Sequence, residues 1–154
     1  MHVYVTSDED PSKIREAMKQ FGIEVDKYEK AGALRITRYE EIYITEGEFN
    51  MNTTIDSWNK LYSTALENGF KGLRVTGETA WFFKRRLVPE LIEYEKSLHK
   101  AMDIPMIAIC SYNANNLNKT EDPINVYTEL ARANATVLFT GVDKRLGRME
   151  IRKV

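Results

Sequence analysis

The sequence predicts a three-layer α/β sandwich, with a mostly parallel central sheet, helices on both faces and a C-terminal β-hairpin. Three observations lead there. Short runs rich in Val, Ile, Tyr and Thr alternate with longer amphipathic stretches, the pattern of successive β-α-β units. Asp-Pro pairs at 10–11 and 122–123 each combine an N-cap residue with a first-turn proline. Towards the end of the chain, two β-forming runs are joined by a Gly-containing turn.

His2 to Thr6 is the first predicted strand, because Val3, Tyr4 and Val5 are β-formers and charged turn residues follow. Asp10 and Pro11 open a helix whose Ile14, Met18 and Phe21 share one face, and Gly22 closes it. Ile23 to Tyr28 alternates apolar and charged residues and is predicted as a half-buried strand. Gly32 turns the chain into a short strand over Ala33 to Thr37. Tyr39 to Tyr43 reads equally as a helical turn or as an extension of that strand. Thr53 and Asp56 have the spacing of a helix cap; Ile55, Trp58, Leu61, Tyr62 and Ala65 form the buried face, and Gly69 ends the helix.

Phe70 to Thr76 is the next strand, closed by Gly77-Glu78. Pro89 sits in the first turn of a helix with Leu91, Tyr94, Leu98 and Met102 in one stripe. Pro105 introduces a strand over Met106 to Cys110. A helix runs from Asp122-Pro123 to Asn134, and strands over Ala135 to Thr140 and Met149 to Val154 make the hairpin. No repeat, low-complexity tract or linker interrupts the sequence, so one domain over residues 1–154 is expected.

Bulk properties narrow the function classes. Apolar residues make up 43% and charged residues 29%, a globular composition. A net charge of −1 supplies no field to draw the protein onto nucleic acid or an anionic membrane. The longest apolar runs, such as Ile104 to Cys110, are too short to span a bilayer. The start, Met1 to Ser7, has neither the basic residues nor the apolar stretch of a signal peptide. The single cysteine, Cys110, cannot form an internal disulfide. The expectation is a cytoplasmic protein.

Two stretches resemble known families. From His2-Val3-Tyr4-Val5-Thr6-Ser7-Asp8-Glu9-Asp10-Pro11 through Phe21-Gly22-Ile23 to Gly32-Ala33-Leu34-Arg35-Ile36, the chain resembles the KaiC-like branch of the RecA ATPases. In that branch the segment follows the phosphate-loop helix. Phe70-Lys71-Gly72-Leu73-Arg74-Val75-Thr76-Gly77-Glu78-Thr79-Ala80-Trp81 is similar to the core signature of the MEDS domain, the sensory domain of DcmR-type regulators. Tyr43, Gly47 and Phe49, then Leu91 to Glu95, then Ile109 to Tyr112 match further parts of its pattern, in order. The resemblance covers residues 2 to 113. It implies a RecA/KaiC-like fold and a sensory role, with simple hydrocarbon derivatives as the proposed ligands. It also implies that a first helix and phosphate-loop turn, present before this strand in other members, are missing here.

A phosphate loop needs Gly-x-x-x-x-Gly-Lys-Ser/Thr, so that consecutive N–H groups and the lysine can hold the phosphates. No Gly-Lys-Ser/Thr triplet occurs, and Gly141 to Gly147 has neither the spacing nor a following helix. ATP hydrolysis would thereby lose most of its positioning and charge stabilisation, and no enzyme activity is expected.

Glu78 stands just beyond its predicted strand, at the edge where open α/β sheets bind ligands; it would contact a ligand or cap the following turn. Glu9 would stand near the same edge, and the two acids together could hold a metal. Arg74, in an apolar strand, calls for a partner among Glu78, Glu93 and Glu95. Trp81 lines a pocket for an apolar ligand or belongs to the core. Cys110 and Tyr112 end a buried strand at the same edge, and an inert core thiol is the plainer reading of Cys110. His2 and His99 have no zinc-site spacing. Lys84-Arg85-Arg86 and the cluster of Lys144, Arg145, Arg148, Arg152 and Lys153 read as solvated surface, without the aromatic interleaving of a nucleic-acid site.

The functional expectation is a non-catalytic sensory or regulatory domain that uses no cofactor and no metal. A small organic molecule would bind against Glu9, Arg74, Glu78, Trp81, Cys110 and Tyr112. The signal would pass to a separate signalling or transcription-regulatory protein. Neither membrane nor nucleic acid is an expected partner, and a homodimer is. One alternative is a degenerate ATPase-like subunit serving only protein interaction. Another is an enzyme using Glu78 and Glu9 as acid and base.

Overall fold

The computed structural model describes residues 1–101, 104–140 and 145–150. In chain order the elements are β1 (His2–Thr6), α1 (Pro11–Gln20), α2 (Val25–Lys30), β2 (Leu34–Arg38), α3 (Glu40–Tyr43), β3 (Ile44–Thr45), β4 (Glu48–Phe49) and α4 (Met51–Glu67). There follow β5 (Arg74–Glu78), α5 (Ala80–Lys84), α6 (Val88–Ala101), β6 (Ile107–Ser111), α7 (Ala114–Leu117), α8 (Pro123–Ala133), β7 (Thr136–Thr140) and β8 (Leu146–Glu150). β2, β1, β5 and β6 form one parallel sheet in that order, flanked by helices, and β7 and β8 form a separate antiparallel hairpin. The expected α/β architecture is therefore present. Among the described residues no helix is long and apolar enough to cross a membrane.

Side-chain caps open α1, α4, α7 and α8. Asp10 accepts from the Ser12 N–H at 2.8 Å, and Asp122 from the Asn125 N–H at 3.1 Å, each just before the first-turn proline. α4 starts earlier than its sequence spacing predicts. Asn50 is the cap, taking the Thr53 N–H at 3.1 Å, while Thr53 and Thr54 donate their hydroxyls to the Asn50 carbonyl.

Several expectations are corrected. Residues 23–28 do not form a strand. Gly22, at φ +82°, ends α1, and Val25–Lys30 is a short helix with Val25 as its only buried residue. The alternation there did not mark a buried face, since Ile23 and Tyr28 are both exposed. Glu29 on this helix takes a two-pronged ion pair from Arg15 on α1, at 2.8 and 2.9 Å. Residues 39–43 resolve into the helical turn α3. Glu46 and Gly47, at φ +54° and +88°, then form the tight turn between β3 and β4.

β5 lies further along the chain than expected, so that Gly77 and Glu78 are its last residues and not its stop. β6 extends to Ser111, and β8 begins at Leu146. Met102, residues 141–144, where the Gly-containing turn was expected, and residues 151–154 lie outside the described residues.

The pleat sends alternate residues to opposite faces, and the register fixes which face each one occupies. Val3, Val5 and Val75 face a large core built with Trp58 of α4, Trp81 and Phe82 of α5, Leu91 and Tyr94 of α6, and Val126 and Leu130 of α8. Tyr4, Leu34 and Ile36 face a smaller core with Val25, Ile14 and Met18, under α1 and α2.

Candidate functional site

The six residues expected to line one site are separated by the sheet itself. Glu78 ends β5 on the small-core face, where its carboxylate serves the backbone. The Ser7 N–H donates to it at 2.7 Å, the Asp8 N–H at 3.3 Å and the Tyr4 hydroxyl at 3.2 Å. These bonds fasten the loop after β1 to the end of β5. Burial, followed by the charge of Glu78, pushes the Tyr4 phenol up to about 12. Glu9 is out in solvent and pairs with Lys13 at 3.0 Å. The residue beside it, Asp8, takes Lys84 at 2.6 Å.

Arg74 is a correction. It is exposed, not buried, and it makes no ion pair with Glu78, Glu93 or Glu95. It starts β5 in register with His2 and Ile107, at the N-terminal edge of the sheet. Four residues of extended chain, roughly 13 Å, separate it from Glu78. There it lines an open groove with His2, Leu34 and Lys71.

Trp81, Cys110 and Tyr112 all lie on the large-core side, Cys110 and Tyr112 with Glu95, and Trp81 in a separate set of rings. Tyr112 donates its hydroxyl to Glu95 at 2.6 Å, and Cys110 lies close enough for Glu95 and Tyr112 to act on its thiol. Glu95 is 2% exposed. Burial pushes the Cys110 thiol well up, reinforced by the Glu95 charge; burial likewise raises the Tyr112 phenol. Beside this group, Trp58 donates its indole N–H to the Tyr94 hydroxyl at 2.9 Å, and the Tyr94 ring packs edge-on against Tyr43 at 5.8 Å. Burial raises both of those phenols as well. The Tyr43 hydroxyl reaches the sheet at Gly77, where a Cβ would stand only 3.3 Å from it.

Trp81 is the centre of an aromatic box. The rings of Tyr39, Tyr43, Phe49 and Phe82 surround it at centroid separations of 3.6 to 5.6 Å. Its indole is 1% exposed, and its Nε1 has no hydrogen-bond acceptor among the described residues. Buried indole N–H groups usually find one. This box was missed because its members come from α3 and the residue before it, β4 and α5, which only the fold unites. Glu95 left a readable trace: Leu91, Tyr94, Glu95 and Leu98 have the spacing of one helix face, which places an acid on the buried stripe.

Two members of the basic triplet are engaged locally. Lys84 holds Asp8, and Arg85 lies over the Tyr39 ring at 5.8 Å while donating to the Gly47 carbonyl at 3.0 Å. In the second cluster Arg148 pairs with Glu150, whereas Lys144, Arg152 and Lys153 lie outside the described residues. No group of three or more potential metal-ligating side chains occurs among the described residues.

No curated protein and no solved structure matches the chain. The family model of the MEDS domain, the methanogen/methylotroph DcmR sensory domain, matches residues 1–122. That span includes the Glu78 anchor, the aromatic box and the Glu95–Cys110–Tyr112 group, and the chain belongs to the MEDS family of sensory domains.

Proposed function

We propose that this chain is a non-catalytic sensory domain that takes up a small organic molecule beside Trp81 and reports it to a separate signalling or regulatory protein. The observation carrying this reading is the unpaired Trp81 Nε1, a buried donor enclosed by aromatic rings. A ligand with an apolar body and one hydrogen-bond acceptor suits that chemistry. Entry would displace Tyr39 and Phe49, the half-buried members of the box, and move the β3–β4 hairpin that carries Phe49. The sequence has no Gly-Lys-Ser/Thr triplet, and Glu78 already serves three donors. Both favour recognition over turnover.

The test is thermal unfolding with a panel of small alcohols, ketones, amides and halogenated hydrocarbons, and with Mg-ATP. A compound at a hundred times its Kd stabilises by about 2.7 kcal/mol, raising Tm by roughly 5–10 °C in a chain of this size. We expect such a rise with at least one organic compound, its loss in Trp81→Phe, and no ATP turnover. If no organic compound raises Tm, or if Trp81→Phe keeps the full rise, the reading fails.

A second reading, action through self-association, is favoured by the exposed apolar side chains of the β7–β8 hairpin, Leu138, Phe139, Leu146 and Met149. A homodimer is its simplest form.

A further inference from the structure

The four parallel strands begin on a shared rung. Leu34 of β2, His2 of β1, Arg74 of β5 and Ile107 of β6 are in register, so their side chains leave the sheet on one face, that of the small core. On that face α1 and α2 pack over β1 and β2, and the chain around their junction supplies Met18, Ile23 and Tyr28 as a wall beside the rung. Wall and rung line one groove of about 610 Å³, within the range of small-molecule sites. Ile23, Tyr28 and Ile107 are 42% to 54% exposed there, so a guest has hydrocarbon to cover. The charges are of one sign. Arg74 and Lys71 line the groove, and no acid does among its described residues. Neither cation has an acidic partner elsewhere among the described residues. His2 adds no charge and no free donor: burial, then the charge of Arg74, holds its imidazole below the ordinary value, and its Nε2 meets the Thr76 hydroxyl at 3.0 Å.

We propose that this groove binds an aliphatic carboxylate, its head on Arg74 with Lys71 beside it and its hydrocarbon chain against Ile107, Ile23 and Tyr28. Charge and apolarity together choose this occupant. A guanidinium matches the two oxygens of a carboxylate with paired donors, and each methylene laid on the wall adds to the affinity. A nucleic acid or an acidic peptide would answer the cations and leave the hydrocarbon unused. An alkylamine would cover the wall and be repelled by both cations. The site stands apart from the one beside Trp81: Arg74 begins β5, whereas Trp81 lies on α5, beyond the other end of that strand.

NMR titration of the intact chain with sodium octanoate tests it. Saturable shifts centred on His2, Leu34 and Ile107 are expected, with a Kd below about 1 mM. Arg74 and Lys71 are exposed, so Arg74→Gln and Lys71→Gln should leave circular dichroism unchanged. The first should weaken octanoate by about tenfold and the second by about two- to threefold. Octanol keeps the body without the charge and should bind about tenfold more weakly. Hexanoate, two methylenes shorter, should also bind more weakly, by up to about tenfold. Asp103 is the acid nearest Pro105 of the groove in sequence, and Asp103→Asn should bind at least as well. Absent or unsaturable shifts, octanol binding as tightly as octanoate, or full affinity in Arg74→Gln overturns the inference. Binding seen only in Asp103→Asn, or to phosphatidylglycerol vesicles and not to octanoate, overturns it too. Trp81→Phe should keep octanoate binding; its loss there would move the carboxylate to the aromatic box, overturning this site and supporting that one.

Discussion

The two faces of the central sheet are built from the same strands but finished differently. On one, Val3, Val5 and Val75 lie under α4, α5, α6 and α8, and the contact layer is mostly aromatic: Tyr43, Trp58, Trp81, Phe82 and Tyr94. On the other, α1 and α2 cover β1 and β2 only, and Ile107 and Ile109 stand exposed. The first face holds the molecule together, and the second holds the polar anchor at Glu78. The comparison teaches that burial and chemistry do not coincide here. The acid best placed for reactivity by strand position, Glu78, is a structural fastener. The raised phenols of Tyr43, Tyr94 and Tyr112 and the raised thiol of Cys110 belong to the aromatic face, and only Tyr4, also raised, shares the face of Glu78.

The largest test of this contrast is truncation on each face. Trp58→Ala, which removes a 1%-exposed indole and its bond to Tyr94, should cost about 3–5 kcal/mol. Ile109→Ser on the open face should stay within about 0.5 kcal/mol under conditions where the chain is monomeric. Urea unfolding at low protein concentration measures both, and similar losses at the two sites would erase the distinction.

A smaller effect is expected at the anchor. Glu78→Gln keeps the shape but replaces charge-assisted bonds to Ser7, Asp8 and Tyr4, and about 1.5–3 kcal/mol should be lost. Hydrogen exchange should then accelerate at the Ser7 and Asp8 amides while those of α6 are unaffected. Unchanged stability would mean that the carboxylate does not fasten the loop.

The finest probe is alkaline titration. The Tyr4 phenol is raised to about 12, and those of Tyr43, Tyr94 and Tyr112 are raised as well. A raised folded-state pKa contributes stability that is complete below the unfolded value, near 10, and is lost as pH climbs through the folded one. Denaturant midpoints should therefore hold to about pH 10 and fall progressively towards pH 12. Tyr4→Phe should flatten the early part of that fall. A midpoint rising over this window would refute the assignment.

Much of the fold was legible in the chain because local chemistry settled it. Asp10-Pro11 and Asp122-Pro123 fixed two helix starts, and the β-rich runs around Val3–Val5 and Ile107–Ile109 fixed strands. What misled was short-range pattern without tertiary context. The alternation at Ile23–Tyr28 is that of a strand, yet no neighbouring strand pairs with it, and helix formation wins through Val25 and the Arg15–Glu29 pair. Arg74 reads as a strand-interior oddity only if the strand begins at Phe70. With β5 starting at Arg74, it is an ordinary exposed first residue. The site was partly legible for a different reason. Glu78, Trp81, Cys110 and Tyr112 do gather near the ends of β5 and β6, but which face each takes depends on the pleat, and a one-residue change of register reverses it.

Gly77 gives the aromatic layer a particular freedom. Every other residue of β5 presents a side chain, and at this one position the Tyr43 hydroxyl rests against bare main chain. A Cβ at that position would stand 3.3 Å from the hydroxyl, so the glycine lets the Tyr43 ring lie closer to the strand than any other residue would allow. The ring held there packs edge-on against both Tyr94 and Trp58, so the bare main chain at Gly77 helps set where the whole aromatic layer sits on the sheet.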